Sequence, residues 1–433
     1  MDQPSPSDVP GPTGPVHVTA DLPGVGGVLR QRPEDFFVEE LPAYEPCGSG
    51  EHLYLFVQKT DMPTMQLVSL LARHYGVPKH AVGYAGLKDR LAVTRQLVSV
   101  HLPGKRAEDP PAFAHERVTV LWSDRHTNKL RQGHLAGNRF VVRIRGVEAG
   151  GVVHAHRVLQ RLERVGAPNF AGEQRFGLLA NNHLVGRALL LGDDRGVLDL
   201  ILGPSAARPE MQAEARRLYA EGRYAEAKEA FPRNADTERR VLAALAHGRG
   251  PGRAVATIPA MQRQFYVTAF QSAVFNRVLG ARVHAGLLAA LREGDLAWKH
   301  DSGAVFAVDA AVLSDPGTAE RLAGLEISPS GPMWGLEMTR AVGEVGEAEG
   351  SALAETGVST EHMAGFAGRF GDPVTGSRRP LRVPLRYPDA EGGADEHGPY
   401  IRCAFELPRG AFATVVLGEV MKVSAAGAGT EPG

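Results

Sequence analysis

Apolar and polar positions alternate along two early stretches, DFFVEEL (Asp35–Leu41) and HLYLFVQK (His52–Lys59), and this spacing predicts half-buried strands. VTRQLVSV (Val93–Val100), RVTVLW (Arg117–Trp122) and NRFVVRIRGV (Asn138–Val147) predict three more. Between the second and third, TMQLVSLLARHYG switches to three- and four-residue spacing, with Pro63 just ahead and Gly76 placed to stop it, and predicts a helix. VHAHRVLQRLERVG (Val153–Gly166) predicts another, again ending in Gly. From about residue 166 to 380 the chain is richer in Ala, Leu and Arg at helical spacing, most extended in QRQFYVTAFQSAVFNRVL (Gln262–Leu279). SRRPLRVPLRYP then marks a Pro-punctuated return, and IRCAFELPRGAFATVVLGEVMKVS resumes strand-like alternation to its end. A helix-rich block between two strand-rich blocks predicts an α+β fold. In it a discontinuous domain with a mixed or antiparallel sheet, residues 21–165 plus 381–423, carries a helix-rich insertion, residues 166–380. Residues 1–20, with five prolines, and 424–433 read as disordered tails.

Composition removes several classes. At 433 residues two or three domains are expected. No apolar run reaches a membrane span, and the N-terminal MDQPSPSDVPGP has neither the basic nor the apolar region of a signal peptide, so a cytoplasmic protein is expected. Two cysteines, Cys47 and Cys403, exclude a disulfide framework and a multi-cysteine metal site. There is no H-E-x-x-H, and His154 and His156, two apart on a helix, do not share a face. The net charge of −1 conceals segregation: Arg239 to Arg292 holds eight arginines and no acid, and Ser123 to Arg145 holds six cations against Asp124 alone. Blocks of this kind suit a polyanion, because phosphate contacts respond to local potential.

Candidate chemistry gathers in GYAGLKDRLAVTRQ (Gly83–Gln96). Two glycines shape a loop in which Asp89 stands between Lys88 and Arg90, and neighbouring cations favour an ionised carboxylate. GNRF offers Asn138, whose amide can both donate and accept, with Phe140 two residues on along the strand. DFFVEE offers Asp35, Phe36 and Glu40, and LPRGAFATVV places Phe412 after a Pro-Arg-Gly turn.

Taken together, these segments resemble the TruD family of tRNA pseudouridine synthases. GYAGLKDRLAVTRQ is similar to that family's AG-x-KD-(R/K)-x-AVT signature, DFFVEE to its DF-x-V-x-E segment and GNRF to its GN-x-F segment. PNFAGEQRFG (Pro168–Gly177), AFQSAVFN (Ala269–Asn276) and FELPRGAFATVV (Phe405–Val416) match others in family order, so the resemblance spans residues 30 to 420. It implies a pseudouridine synthase catalytic domain carrying an inserted TRUD domain, and an enzyme, an isomerase, acting on uridine, expected at position 13 of tRNA. It implies Asp89 as the catalytic residue, Phe36, Asn138 and Phe412 as substrate-binding residues, and Lys88, Arg90 and Phe140 in support. tRNA is the implied partner, with no cofactor, no metal, no membrane and no obligate protein partner.

Three positions depart from the family pattern. Gly418 stands where Arg is usual before Glu419, so any cation beside the catalytic carboxylate has to come from elsewhere, with Lys422 and Lys88 as candidates. Phe170-Ala171-Gly172 replaces Tyr-Phe-Gly, and Leu91 replaces a polar residue. The competing reading is an RNA-binding protein with vestigial catalysis, which would be indifferent to Asp89→Asn.

Overall fold

The computed structural model describes residues 16–88, 90–104, 112–205 and 208–423. These residues form two compact units, one made of residues 17–168 with 383–423 and the other of 169–382.

The first unit is built on β1 (Phe36–Pro42), β2 (His52–Thr60), α1 (Thr64–Tyr75), β3 (Val82–Tyr84), β4 (Val93–His101), β5 (Val118–His126), β6 (Leu135–Arg145) and α2 (Val152–Val165). The strands Arg386–Asp395 and Gly398–Pro408 and the helix Ala413–Met421 complete it. The sheet runs Arg386–Asp395, Gly398–Pro408, β6, β1, β4, β2, β5, with β3 also paired to β4. Only β1 and β4 pair in parallel, so the sheet is mixed. Two strands meet β4 in succession: β1 at Val93–Arg95 and β3 at Val98–Val100. The chain between β3 and β4, which contains the GLKDR segment, begins and ends at this split.

One face of the sheet is covered by helices. Leu67, Val68, Leu71 and Tyr75 of α1 pack on Leu53, Leu55, Val57, Val98 and Val100. Val158, Leu159 and Leu162 of α2, with Val416, Leu417 and Val420, pack on Val38, Phe140, Val142 and Phe405. The other face carries a polar row in register across five strands, Glu406, Arg139, Glu39, Arg95 and Gln58. Arg139 Nη2 donates to Glu406 at 2.6 Å, Arg95 Nη1 to Glu39 at 3.0 Å and Arg95 Nε to Gln58 at 2.9 Å.

Three local expectations fail here. ATVVLGEVM is a helix rather than a strand, because Ala413, Val416, Leu417 and Val420 fall on one helical face and are buried there in the core shared with α2 and the sheet, which tertiary contacts reward despite the β-branched valines. The Gly- and Asp-rich stretch Arg386–Asp395, read only as a Pro-punctuated return, is a ten-residue edge strand held by its neighbour Gly398–Pro408. At the N-terminus the expected tail runs to residue 20, yet Thr19 is fully buried with its hydroxyl 2.5 Å from Glu419 Oε2. Residues 1–15 and 424–433, the rest of the expected tails, lie outside the described residues.

The second unit is mostly helical. Its centre is the helix Ala260–His284, whose apolar positions pack on the helix Asn182–Leu191 and others. Glycine is required at 186, because a Cβ there would stand 2.1 Å from the Tyr266 carbonyl oxygen. A four-stranded antiparallel sheet runs Ser377–Pro380, Ile327–Met333, Leu296–Lys299, Val305–Ala307. The arginine-rich stretch is not the open basic surface its sequence suggests. Arg263 donates to Asp372 at 2.7 Å, Arg292 to Glu344 at 2.5 Å, Arg277 and Arg282 pair with Glu355 and Asp295, and Arg239 reaches Glu229 at 3.5 Å. The neutralising acids other than Glu229 come from farther along the chain, so segregation in sequence disappears on folding. Among the described residues Arg240, Arg249 and Arg253 are exposed and have no carboxylate partner.

Candidate active site

The site is built where β1 and β3 part along β4. Glycine opens the segment for a reason of space: a Cβ on Gly83 would meet the Leu130 carbonyl oxygen at 2.2 Å. Gly133 N–H donates to the Ala85 carbonyl at 2.8 Å and tethers the loop from the approach to β6. Lys88 is fixed at both ends. Its N–H donates to Thr64 Oγ1, the first residue of α1, at 2.9 Å, and Thr64 in turn donates to Gln96 Oε1 at 3.0 Å. Its ammonium donates to Asn138 Oδ1 at 2.7 Å and lies 3.1 Å from Glu40 Oε2.

Glu40 makes this arrangement possible. Buried positions alternate along β1, so Phe36, Val38 and Glu40 share the inward face and the carboxylate is 1% exposed. Its Oε1 accepts from Leu97 N–H at 3.4 Å, in the gap that neither β1 nor β3 fills. Burial pushes the Glu40 carboxyl above its ordinary range, and the Lys88 charge opposes that shift. In register, Glu40 faces Asn138, and Asn138 faces Leu407. The buried Glu40 carboxylate and Lys88 ammonium with the half-buried Asn138 therefore join three sequence segments. The sequence reading named Glu40 among the residues DFFVEE offers but gave it no role. The signal was its parity, an acid two residues from Val38 on an otherwise apolar face.

Phe36 and Phe140 also meet, but as core. Phe36 is 2% and Phe140 8% exposed, their rings are edge-to-face at 6.4 Å, and Phe140 lies 5.7 Å from Phe405. The Arg30 guanidinium covers Phe36 at 4.4 Å. Phe412 is half-buried at the start of the helix Ala413–Met421. It follows Pro408, which pairs with Gly137 beside Asn138, and Arg409 N–H donates to Ala136 O at 3.2 Å, so this segment leaves the sheet at the Asn138 end. Arg90 turns aside, its Nε 3.2 Å from Asp61 Oδ1. Lys422 is spent on Thr19 Oγ1 at 2.5 Å and Glu419 at 3.2 Å, which leaves Lys88 as the cation held next to the candidate carboxylate in sequence. Asp89 itself lies outside the described residues. Among the described residues no group of three or more His, Cys, Asp or Glu is arranged to hold a metal, and no helix is long and apolar enough to cross a membrane.

In the other unit the remaining motifs meet one another. Asn276 of AFQSAVFN accepts from Ala171 N–H at 2.8 Å and donates to Ala171 O at 3.0 Å, clamping the PNFAG segment. Asn169 of that segment accepts from Arg379 Nη2 at 2.6 Å.

Residues 14–420 match the family described as tRNA pseudouridine synthase D (TruD). The chain belongs to the TruD family. A TruD protein of Geobacter metallireducens is 43% identical over 412 residues, which cover 94% of this chain and 97% of that one. One from Syntrophotalea carbinolica is 41% identical over 408 residues, covering 94% and 98%. A solved TruD structure from Methanosarcina mazei, 26% identical, superposes with a TM-score of 0.79 and covers 98% of this chain and 99% of its own. The likeness to TruD proteins thus extends through both units.

Proposed function

We propose that this protein isomerises a uridine of tRNA to pseudouridine, at position 13, with Asp89 as the catalytic carboxylate acting on a flipped-out nucleotide. The observation that carries the reading is the 2.7 Å bond from Lys88 Nζ to Asn138 Oδ1, which ties the residue before Asp89 to a motif 50 residues away. Membership of the TruD family supplies the reaction class, and this bond supplies a reason for the two motifs to act as one site. Residues 17–168 with 383–423 are then the catalytic domain, and 169–382 the inserted domain.

The reaction breaks the N1–C1′ bond, turns the uracil, and joins C5 to C1′. C5 loses a proton and N1 gains one, so substrate and product are isomers. One ionised carboxylate at the anomeric carbon is sufficient, either as a nucleophile on C1′ or as a base that takes a sugar proton towards a glycal. The freed uracil must be retained while it turns, and extruding the nucleotide costs a few kcal/mol, which stacking on an aromatic returns at about 1–3 kcal/mol per base. Asn138 and the half-buried Phe412 are suited to that holding. Phe36, buried under Arg30 and packed edge-to-face on Phe140, supports the same strand from the core.

The test is pseudouridine mapping in an unmodified tRNA transcript, comparing wild type with Asp89→Asn. Pseudouridine at position 13, absent with the variant, is the expected result. Retained tRNA binding with no pseudouridine from either protein sinks the reading in favour of a binding module.

A further inference from the structure

The Lys88 ammonium occupies the oxygen end of the Asn138 amide. Lys88 has no freedom to release it: its side chain is 7% exposed, its charge is countered by Glu40 at 3.1 Å, and its own N–H is tied to Thr64. Glu40 is in turn fixed by Leu97 N–H on the neighbouring strand. An ammonium can only donate, so the amide must present its oxygen to Lys88 and its NH2 away from it. Asn138 lies opposite Glu40 on one side and Leu407 on the other, mid-sheet, so nothing in the ladder pairing rotates its side chain.

We infer that the Glu40–Lys88 pair is a positioning device that makes Asn138 a hydrogen-bond donor to the target base, and that this donor selects uracil over cytosine. The inference rests on the pseudouridine synthase reading above. Uracil carries carbonyls at C2 and C4 on either side of N3. Rotation about the N3–C6 axis exchanges N1 with C5 and, in the same motion, O2 with O4. A donor fixed at Asn138 Nδ2 therefore meets a carbonyl before the turn and another after it. The donor is assigned to O4 before the turn and to O2 after it. Cytosine carries an amino group at C4, so in the bound, unturned nucleotide the same donor would face a donor, and a buried polar group left unpaired is rejected more strongly than a lost contact. Lys88 adds strength as well as direction, because a cation on the amide oxygen draws charge from the nitrogen and sharpens its N–H groups.

Three measurements test this on the full chain. Asn138→Asp keeps an oxygen for Lys88 and replaces the donor with an acceptor. Pseudouridine formation is expected to fall at least 100-fold in kcat/KM, with tRNA affinity reduced by about tenfold, the size of the base preference below. An active Asn138→Asp enzyme would mean the amide oxygen faces the base, and would overturn the inference. Second, in an Asp89→Asn background, Kd is measured for two tRNA transcripts that differ only in uridine or cytidine at the target. A preference of about tenfold for uridine is expected, falling below about twofold when Lys88→Met is added and partly restored by Lys88→Arg. A preference that survives Lys88→Met overturns the assignment. Third, a transcript with 4-thiouridine at the target requires no variant and so covers the case in which a substitution does not fold. Sulfur is a poor acceptor, and kcat is expected to drop at least fivefold, whereas an unchanged kcat overturns the inference. Failure of wild type to convert the plain uridine transcript would instead overturn the underlying reading.

Discussion

Arg145, the last residue of β6, is the most heavily committed cation in the first unit. Its Nε reaches both carboxylate oxygens of Asp35 at 2.9 and 2.8 Å, and Nη1 and Nη2 each donate to Asp395 at 2.8 Å. Asp35 is fully buried and Arg145 2% exposed, while Asp395 retains contact with water. Asp35 opens the DFFVEE motif, so the pair fixes the start of β1, and Asp395 ends the edge strand, so the same guanidinium pins the hairpin. Arg145 holds the Asp395 carboxyl well below the usual carboxylate range. Removing Arg145 with Met leaves Asp35 as an uncompensated charge in the interior, a change that costs about 3–5 kcal/mol. Asp35→Asn leaves Arg145 still paired with Asp395 and is expected to cost less, about 1–2 kcal/mol. The double variant removes the buried charge altogether, so it should recover at least about 2 kcal/mol over Arg145→Met alone, a coupling typical of contacting groups. Because the chain has two units, local hydrogen exchange read by mass spectrometry is a sharper assay than a single unfolding midpoint. Amides of β1 and β6 in Arg145→Met should lose protection by about a hundredfold or more, at roughly 1.4 kcal/mol per tenfold. A double variant no better protected than Arg145→Met would refute the reasoning, since the penalty would then lie in lost packing rather than in stranded charge.

Other outcomes follow from single sites. His183 is buried beside Phe176 with neither ring nitrogen partnered, and burial holds its imidazole down to about 4. The unfolded chain binds a proton below about 6.5 that the folded unit refuses until about pH 4, so stability falls as pH drops through that window, by roughly 3 kcal/mol at its lower end; His183→Leu should flatten the fall in urea midpoint between pH 7 and 4.5. Gly418 sits inside a helix with open space where a Cβ would point, so Gly418→Ala should stabilise by about 0.5–1 kcal/mol, read as a raised urea midpoint. Hydrogen bonding with Ser49 lowers the exposed Cys47 thiol to about 7, while burial pushes Cys403 up to about 12. Iodoacetamide at pH 7 should therefore label the native protein once, at Cys47, with Cys403 reacting only after unfolding.

Periodicity located most elements of the large mixed sheet because its strands have one buried and one wetted face. β1 and β2 alternate as their sequences do, and Gly76 ends α1 with a φ of 64°, the left-handed cap that glycine favours. Where burial was two-sided or absent the pattern misled. The C-terminal helix carries Val415 on its less buried side and buries Glu419, which blurs its helical period, and Arg386–Asp395 is a strand only by virtue of its partner. Motifs named the segments of the candidate site without its wiring. That Lys88 reaches Asn138, and that Glu40 stands behind it, depends on β1 and β3 sharing one edge of β4, a property of topology that no local window contains. The arginine stretch failed for the same reason, its acids arriving mainly from elements more than ten residues away.

The interrupted sheet has a consequence for how the protein is made. Arg139 of β6 meets Glu406 of its neighbouring strand across 267 residues of chain. At synthesis rates of about 5–20 residues per second, β6 waits roughly 13–50 s on the ribosome with one edge unpaired, while the whole helical unit is translated. An unpaired edge invites adhesion to other nascent chains, and charged residues along it are the usual protection. β6 places Arg139, Arg143 and Arg145 along that edge. Before they bind Glu406 and Asp395 in the finished fold, these arginines guard a strand whose partner has not yet been synthesised.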